Sequence, residues 1–226
     1  MARLVFAAVL LWAAAPTSAQ TTVDGRAWWN VTVQEQPGTE RPWRWYFELQ
    51  GRHRDGVTGF DQLLVRPAVG YDLTPRSSLW AGYGYTPGFP PTGDVLTENR
   101  LWQQYLWAGP GLGSALQWRS RFEERSIEGN ERVAWRYRQF WRLTRPLATS
   151  AGALTFVAWD ELFFHLNDTA RTAAGFDQNR LFAGLGLGIR QGTRVEVGYL
   201  HQNVRGVRGS ADRRNHIFLT FLNATY

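Results

Sequence analysis

Gln117, Arg119, Arg121, Glu123 and Arg125 occupy alternate positions, so on an extended chain all five side chains point to one side. Arg132, Arg136, Arg138 and Arg142 form a second such row on the segment that follows. Adjoining arginine rows repel one another unless carboxylates stand among them. Glu98, Glu123, Asp160, Glu161 and Asp177 are the available partners. The stretches Glu98 to Tyr105 (ENRLWQQY) and Asp177 to Arg180 (DQNR) carry more of the same chemistry. One polar network is therefore expected from Glu98, Arg100, Gln104, Arg119, Arg121, Glu123, Arg136, Arg138, Asp160, Glu161, Asp177 and Arg180. Guanidinium, carboxylate and amide groups set among one another satisfy each other where water is scarce. They would fill and stiffen an enclosed space, or line a route that favours anions.

Catalysis has weaker support. A serine hydrolase needs a serine within reach of a histidine that an acid or amide orients. The histidines are His53, His165, His201 and His216. His53 and His201 fall on apolar rows. His165, near Asp160, Glu161 and Asn167, is the one tempting base and is expected as a surface residue at the lip of a loop. Ser120 falls on an apolar row, while Ser126 and Ser210 lie in connections, so no catalytic residue is assigned. The His and acid residues show no metal-ligand spacing. Gly184, Gly186 and Gly188 alternate within a strand pattern with no helix following, which is no phosphate loop; they are expected to admit bulky inward groups. No cofactor is expected.

The elements that must position these residues are strands. Trp43, Trp45, Phe47 and Leu49 alternate with Arg44, Tyr46, Glu48 and Gln50, giving one apolar and one polar face. Similar rows start at Val23, Leu63, Leu79, Leu101, Leu116, Val133, Leu181, Val195 and Phe218, and the segment 152–166 is apolar with weaker alternation. Tight turns are expected at Asp72–Arg76, Pro110–Gly113, Arg145–Gly152 and Gln191–Thr193. Longer polar connections are expected at Thr86–Thr97, Ser126–Arg132, Asn167–Asp177 and Gln202–Asn215. Short turns at one end and longer loops at the other is the arrangement of bacterial outer-membrane barrels.

The two termini and the composition agree with that arrangement. Arg3, an apolar stretch over Leu4 to Ala15, and Thr17-Ser18-Ala19 read as a secretory signal over residues 1–19. Residues 20–226 would then be a single barrel domain. The closing run from His216 to Tyr226 has one apolar-leaning row, Phe218, Thr220, Leu222, Ala224 and Tyr226, and resembles the final-strand signal of outer-membrane barrels. Tryptophan numbers 12, and such residues gather where apolar surface meets water. Mean hydropathy is −0.35, which opposes a helical membrane protein but not a barrel, whose strands show lipid at every second residue. There is no cysteine, so no disulfide supports the fold. The net charge of +6 comes from arginines interleaved with Glu and Trp, not gathered in a tail. No nucleic-acid partner is expected from that spacing.

Leu63 to Tyr71 (LLVRPAVGY), the Glu98–Gln104 stretch, Asp160-Glu161 and the Asp177–Arg180 stretch together resemble the DUF2490 family over essentially all of residues 20–226. That resemblance implies an outer-membrane barrel of unassigned function and supplies no catalytic residues.

The expectation is an all-β, antiparallel, up-and-down transmembrane β-barrel. Eleven segments are counted, but bacterial single-chain barrels have even strand numbers, so ten to twelve strands are expected, with twelve favoured. The first segment is the doubtful one. The expected role is a structural barrel or a narrow, anion-leaning solute channel in the cell outer membrane. An outer-leaflet lipid hydrolase and a soluble periplasmic ligand-binding barrel are the alternatives. Expected partners are outer-membrane lipid and lipopolysaccharide, and the barrel-assembly machinery through the strand ending in Tyr226; a monomer is expected.

Overall fold

The computed structural model describes residues 21–36, 41–111, 113–147 and 154–226. The expected signal at 1–19 and most of the Arg145–Gly152 turn lie outside the described residues. Eleven strands carry the fold: β1 (Thr21–Gln34), β2 (Trp43–Arg54), β3 (Gly59–Thr74), β4 (Ser77–Gly88), β5 (Leu96–Gly111) and β6 (Ser114–Ile127). The rest are β7 (Ala134–Pro146), β8 (Leu154–His165), β9 (Gly175–Arg190), β10 (Thr193–Val204) and β11 (Asp212–Thr225).

Two-residue alternation is what makes these segments strands. Along β3, Leu64, Arg66, Ala68 and Gly70 are buried, while Pro67, Val69 and Tyr71 between them are exposed. Each strand pairs antiparallel with the next, as Trp102 opposite Glu123 and Glu123 opposite Arg136 illustrate. The barrel closes between β1 and β11, which pair in parallel from Thr21 opposite Asp212 to Gln34 opposite Thr225.

This corrects the expectation of an even, wholly antiparallel barrel with twelve strands favoured. The sheet is mixed and has eleven strands. In an up-and-down meander with an odd number of strands, the first and last run the same way. Their edges can then meet only as a parallel pair. The doubtful first segment is a full strand, and it removes the open edge that β2 and β11 would otherwise present.

The connections alternate as expected, with two exceptions. Those at 75–76, 112–113 and 191–192 are two residues long and share one end of the barrel, the turn end. Those at 89–95, 128–133, 166–174 and 205–211 run six to nine residues at the opposite, loop end. The exceptions are 35–42 and 147–153 at the turn end, which are longer, and 55–58 at the loop end, which is shorter.

The interior is filled with side chains rather than open. One wall is apolar, where Trp28, Phe140, Val157, Trp159, Phe182, Leu200, Ile217 and Leu219 pack together. A smaller cluster joins Ala68, Trp80 and Trp102. An entirely polar lumen was expected, so this wall is a second correction; β8 shows apolar groups on both faces, which is why its alternation is weak. Gly82 makes room for the second cluster: a Cβ there would stand 2.3 Å from the Trp102 ring. The expectation that strand glycines admit bulky inward groups also holds at Gly184, where a Cβ would lie 2.7 Å from the Phe182 ring.

Candidate functional site: the arginine-lined lumen

The inward row of β6 faces the inward row of β7, and carboxylates from three strands sit between the guanidiniums. Glu123, 1% exposed, is the hub. Its Oε2 accepts from Arg136 at 2.5 and 2.9 Å, and its Oε1 accepts from Arg138 at 2.6 Å. Arg138 also donates to Glu161 Oε1 at 2.7 and 3.0 Å, and Arg119 donates to the same oxygen. Sharing Arg138 between two acids and Glu161 between two arginines makes one chain of charge across β6, β7 and β8. Toward the loop end, Glu98 accepts from both Arg100 and Arg125.

Arg121 is held differently. Gln104 Oε1 accepts from it at 2.7 and 2.9 Å, and its guanidinium lies 4.0 Å over the Trp102 ring. Its nearest carboxylate, Glu123, is at 3.9 Å. Asp177 accepts from Arg136 at 3.7 Å and lies 3.4 Å from His165 Nε2. Arg180 stacks its guanidinium 4.7 Å over Phe163 and 5.1 Å from the Trp28 ring centre.

Eleven of the twelve residues expected in the network thus face the lumen. Asp160 does not, and it is corrected here. It sits on the outward row of β8 with exposed Phe156, and its Oδ1 accepts from Asn179 Nδ2 at 2.5 Å. Neighbours in a strand point to opposite faces, so Asp160 and Glu161 cannot both face inward.

His165 is corrected as well. It is 6% exposed and inside the barrel, not a surface residue at a loop lip. Among the described residues no serine hydrogen-bonds to it. His53 and His201 stand on the outward rows as expected, His53 packing against Phe60 and His201 beside Tyr199 and His216.

Several lumen residues escaped the sequence reading. Glu48 accepts from Arg66 at 2.8 Å, from Asn30 at 2.6 Å and from the Tyr46 hydroxyl at 2.5 Å. Glu196, 1% exposed, accepts from Arg142. The signal for the first was present: Arg44, Tyr46, Glu48, Gln50 and Arg52 are the polar side of the Trp43 row.

These contacts divide the lumen into two chambers. One, of about 520 Å³, lies toward the turn end, and the other, of about 600 Å³, toward the loop end. Trp28, Arg66, Arg138 and Arg180 line both and form the waist between them. A solute passing from one chamber to the other would have to displace guanidiniums.

Comparison with known proteins agrees with this architecture without naming a role for it. A family model described as "Protein of unknown function (DUF2490)" matches residues 25–213. An uncharacterized protein of Methylorubrum extorquens is 35% identical over 227 residues, covering 99% of this chain and 98% of that protein. The chain therefore belongs to the DUF2490 family.

Proposed function

We propose that this chain is an outer-membrane β-barrel with a narrow, anion-preferring lumen that is closed at the waist. One observation carries the reading: the barrel is inverted in polarity. Arg66, Arg121, Arg136, Arg138, Glu123 and Glu161 are buried inside, while Trp43, Leu79, Leu101, Trp141, Leu181 and Leu185 are exposed outside. A bilayer is the solvent that suits such an exterior, and a closed barrel leaves no unpaired strand edge to the hydrocarbon. The same inversion disfavours a soluble ligand-binding barrel, whose apolar side chains would turn inward. On this reading residues 1–19 direct export, outer-membrane lipid surrounds the Trp and Tyr rows, and β11 is the strand the assembly machinery engages.

The waist argues against a wide pore, since its side chains meet across the lumen. Arginines outnumber carboxylates on both chamber walls, so any passage favours anions. Membrane residence is tested by fractionation: the protein should stay with the outer membrane through urea and alkaline washing, and its release would overturn that part. Lumen preference is tested by reversal potentials in planar bilayers under a salt gradient. Anion selectivity that inverts when Arg119, Arg121, Arg136 and Arg138 are changed to Glu is the expected result. Cation selectivity in the unaltered protein would defeat it, and silence at all voltages would leave a closed structural barrel.

A further inference from the structure

The loop-end chamber has eleven arginines on its wall and three carboxylates, Asp61, Glu98 and Asp177. Most of the guanidiniums have a carboxylate: Arg26 pairs with Asp24 and Asp61, Arg66 with Glu48, and Arg100 and Arg125 with Glu98. Arg136 and Arg138 are held by Glu123 and its neighbours. Five are left with no carboxylate within ion-pair distance among the described residues: Arg52, Arg171, Arg180, Arg205 and Arg213.

Their placement is ordered. Arg171 and Arg205 stand in the loops that follow β8 and β10, and Arg213 at the start of β11; all three are exposed at the chamber mouth. Arg52 and Arg180 lie deeper, on opposite sides of the closing strands, and both stack on Trp28, with their guanidinium carbons 4.2 and 5.1 Å from its ring centre. Arg180 is 9% exposed. Both are positioned by neutral oxygens. Gln50 Oε1 accepts from Arg52 at 2.8 and 3.0 Å, and Gln62 Oε1 at 2.7 Å. Turned with its oxygen toward Arg180, the Gln202 amide accepts from that guanidinium at 3.2 and 3.3 Å.

Amide oxygens and ring faces fix a guanidinium in place but leave its charge uncancelled. Elsewhere in this lumen each deep arginine row is met by a glutamate, so the missing acid at Arg52 and Arg180 is a local departure. Two further buried donors on the same wall, Trp28 Nε1 and Arg66 Nε, have no acceptor among the described residues. Buried cations and donors without acceptors are costly to hold unless a ligand supplies negative oxygens. The fork of a guanidinium matches phosphate or carboxylate oxygens in pairs, and a single carboxylate would cancel only one of these charges.

We infer that the loop-end chamber is a binding site for a small phosphate-class anion bearing two or more negative charges, held by Arg52 and Arg180 over Trp28. Arg171, Arg205 and Arg213 draw the anion to the mouth, where several like charges around a recess raise the local anion concentration. The chamber, at about 600 Å³, accommodates a diphosphate or a phosphorylated headgroup but no large polymer. This deepens the anion-preferring reading of the lumen and depends on neither membrane residence nor conduction.

The test is calorimetric titration of the purified full chain in nonionic detergent, with pyrophosphate, inorganic phosphate and short-chain phosphatidic acid as probes. Saturable pyrophosphate binding is expected, tighter than inorganic phosphate, and weakened at least tenfold in Arg52→Gln and in Arg180→Gln. Arg76→Gln, at an exposed turn on the far end, should leave it unchanged. Heat-modified mobility on gels shows that each variant is folded, and Arg52→Lys, which keeps the charge, should recover part of the affinity. Binding of phosphatidic acid alone would assign the site to a lipid headgroup, and binding of pyrophosphate to a soluble ligand. No saturable binding of either, or equal affinity in Arg52→Gln and Arg180→Gln, overturns the inference. A barrel that binds pyrophosphate yet is silent in bilayers would fail on conduction alone.

Discussion

Arg138 Nη1 donates to Glu123 Oε1 at 2.6 Å inside the barrel, where the carboxylate side chain is 1% exposed. The other oxygen of Glu123 takes Arg136, so this one acid offsets two buried guanidiniums. Removing one member of a buried pair leaves an uncompensated charge, which typically costs about 3–5 kcal/mol. Glu123→Gln should therefore destabilise the barrel by that order, read as a shift of the urea midpoint for loss of heat-modified mobility. Glu123→Leu combined with Arg136→Met removes both partners and should recover part of the loss, because Arg138 keeps Glu161. A change below about 1 kcal/mol in Glu123→Gln would mean that Glu123 is not the counter-charge the geometry makes it.

Gly82 and Trp102 stand opposite one another on β4 and β5, with no space between them for a side chain. A Cβ at residue 82 would meet the Trp102 ring at 2.3 Å and Ala68 Cβ at 2.8 Å. Overpacking of this kind costs about 1–3 kcal/mol. Gly82→Val should lower stability in that range, and Gly82→Val with Trp102→Leu should lose less than the sum of the two single changes. Strict additivity would show that the ring does not occupy the glycine face.

The rows on β2, β3 and β9 are legible from alternation alone, because one face is apolar and the other is not. Other features depend on distant partners. Asp160 and Glu161 are adjacent carboxylates, and only the pairing of Glu161 with Arg138 and Arg119 shows which one faces the lumen. Asp177 is a subtler case. Phe163 pairs with Gln178 but Phe164 pairs with Phe176, so Asp177 falls in a bulge. Strict alternation would place it on the outward face with Asn179; the bulge turns it inward to Arg136 and His165. The direction of β1 was hidden for a similar reason, since its parallel partner lies at the other end of the chain. The apolar wall was obscured because Val157, Trp159 and Phe163 face inward from a strand whose outward side is also apolar.

Closure by a parallel pair makes a covalent prediction. Ala27 on β1 lies opposite Phe218 on β11. The chain has no cysteine, so an introduced pair would report on this contact without background. Paired strand positions bring Cα atoms within the roughly 4.4–6.8 Å that a disulfide spans. Ala27→Cys with Phe218→Cys should cross-link under mild oxidation and shift mobility on unreduced gels. Ala27→Cys with Leu222→Cys, two pairs out of register, should cross-link far less. The reverse preference would exclude this register.

Glu128, in the loop between β6 and β7, reaches back to the start of β5. Its Oε2 accepts from the Thr97 N–H at 2.8 Å and from the Thr97 hydroxyl at 2.7 Å. These two donors hold its carboxyl below the ordinary range. A depressed folded pKa means that the contact contributes fully above the unfolded value and is lost as pH falls through the folded one. The Glu128 side-chain resonance should therefore titrate below about 4.3, the usual glutamate value. Thr97→Val removes the hydroxyl and should move that midpoint upward. A midpoint unaffected by Thr97→Val would show that the hydroxyl does not set it.

Asp160 offers the sharpest separation between a bilayer and water outside the barrel. It stands on the outward row between strands whose neighbouring outward residues include Trp141 and Leu181, and Asn179 is its hydrogen-bonding partner. In water an exposed carboxylate costs little, and replacing it with leucine would add exposed apolar surface. Against hydrocarbon the balance reverses, since an ionisable group on the lipid face is destabilising, by less for an acid than the roughly 2–4 kcal/mol of a midplane base. Asp160→Leu should therefore stabilise the barrel in phospholipid bilayers, by up to about 2 kcal/mol on that scale. Glu161→Leu, one residue away on the inner face, should destabilise it by stranding Arg119 and Arg138. The two substitutions differ only in which face they alter, so opposite signs in urea titrations on bilayers would locate lipid outside the wall. Destabilisation by both would place water there instead.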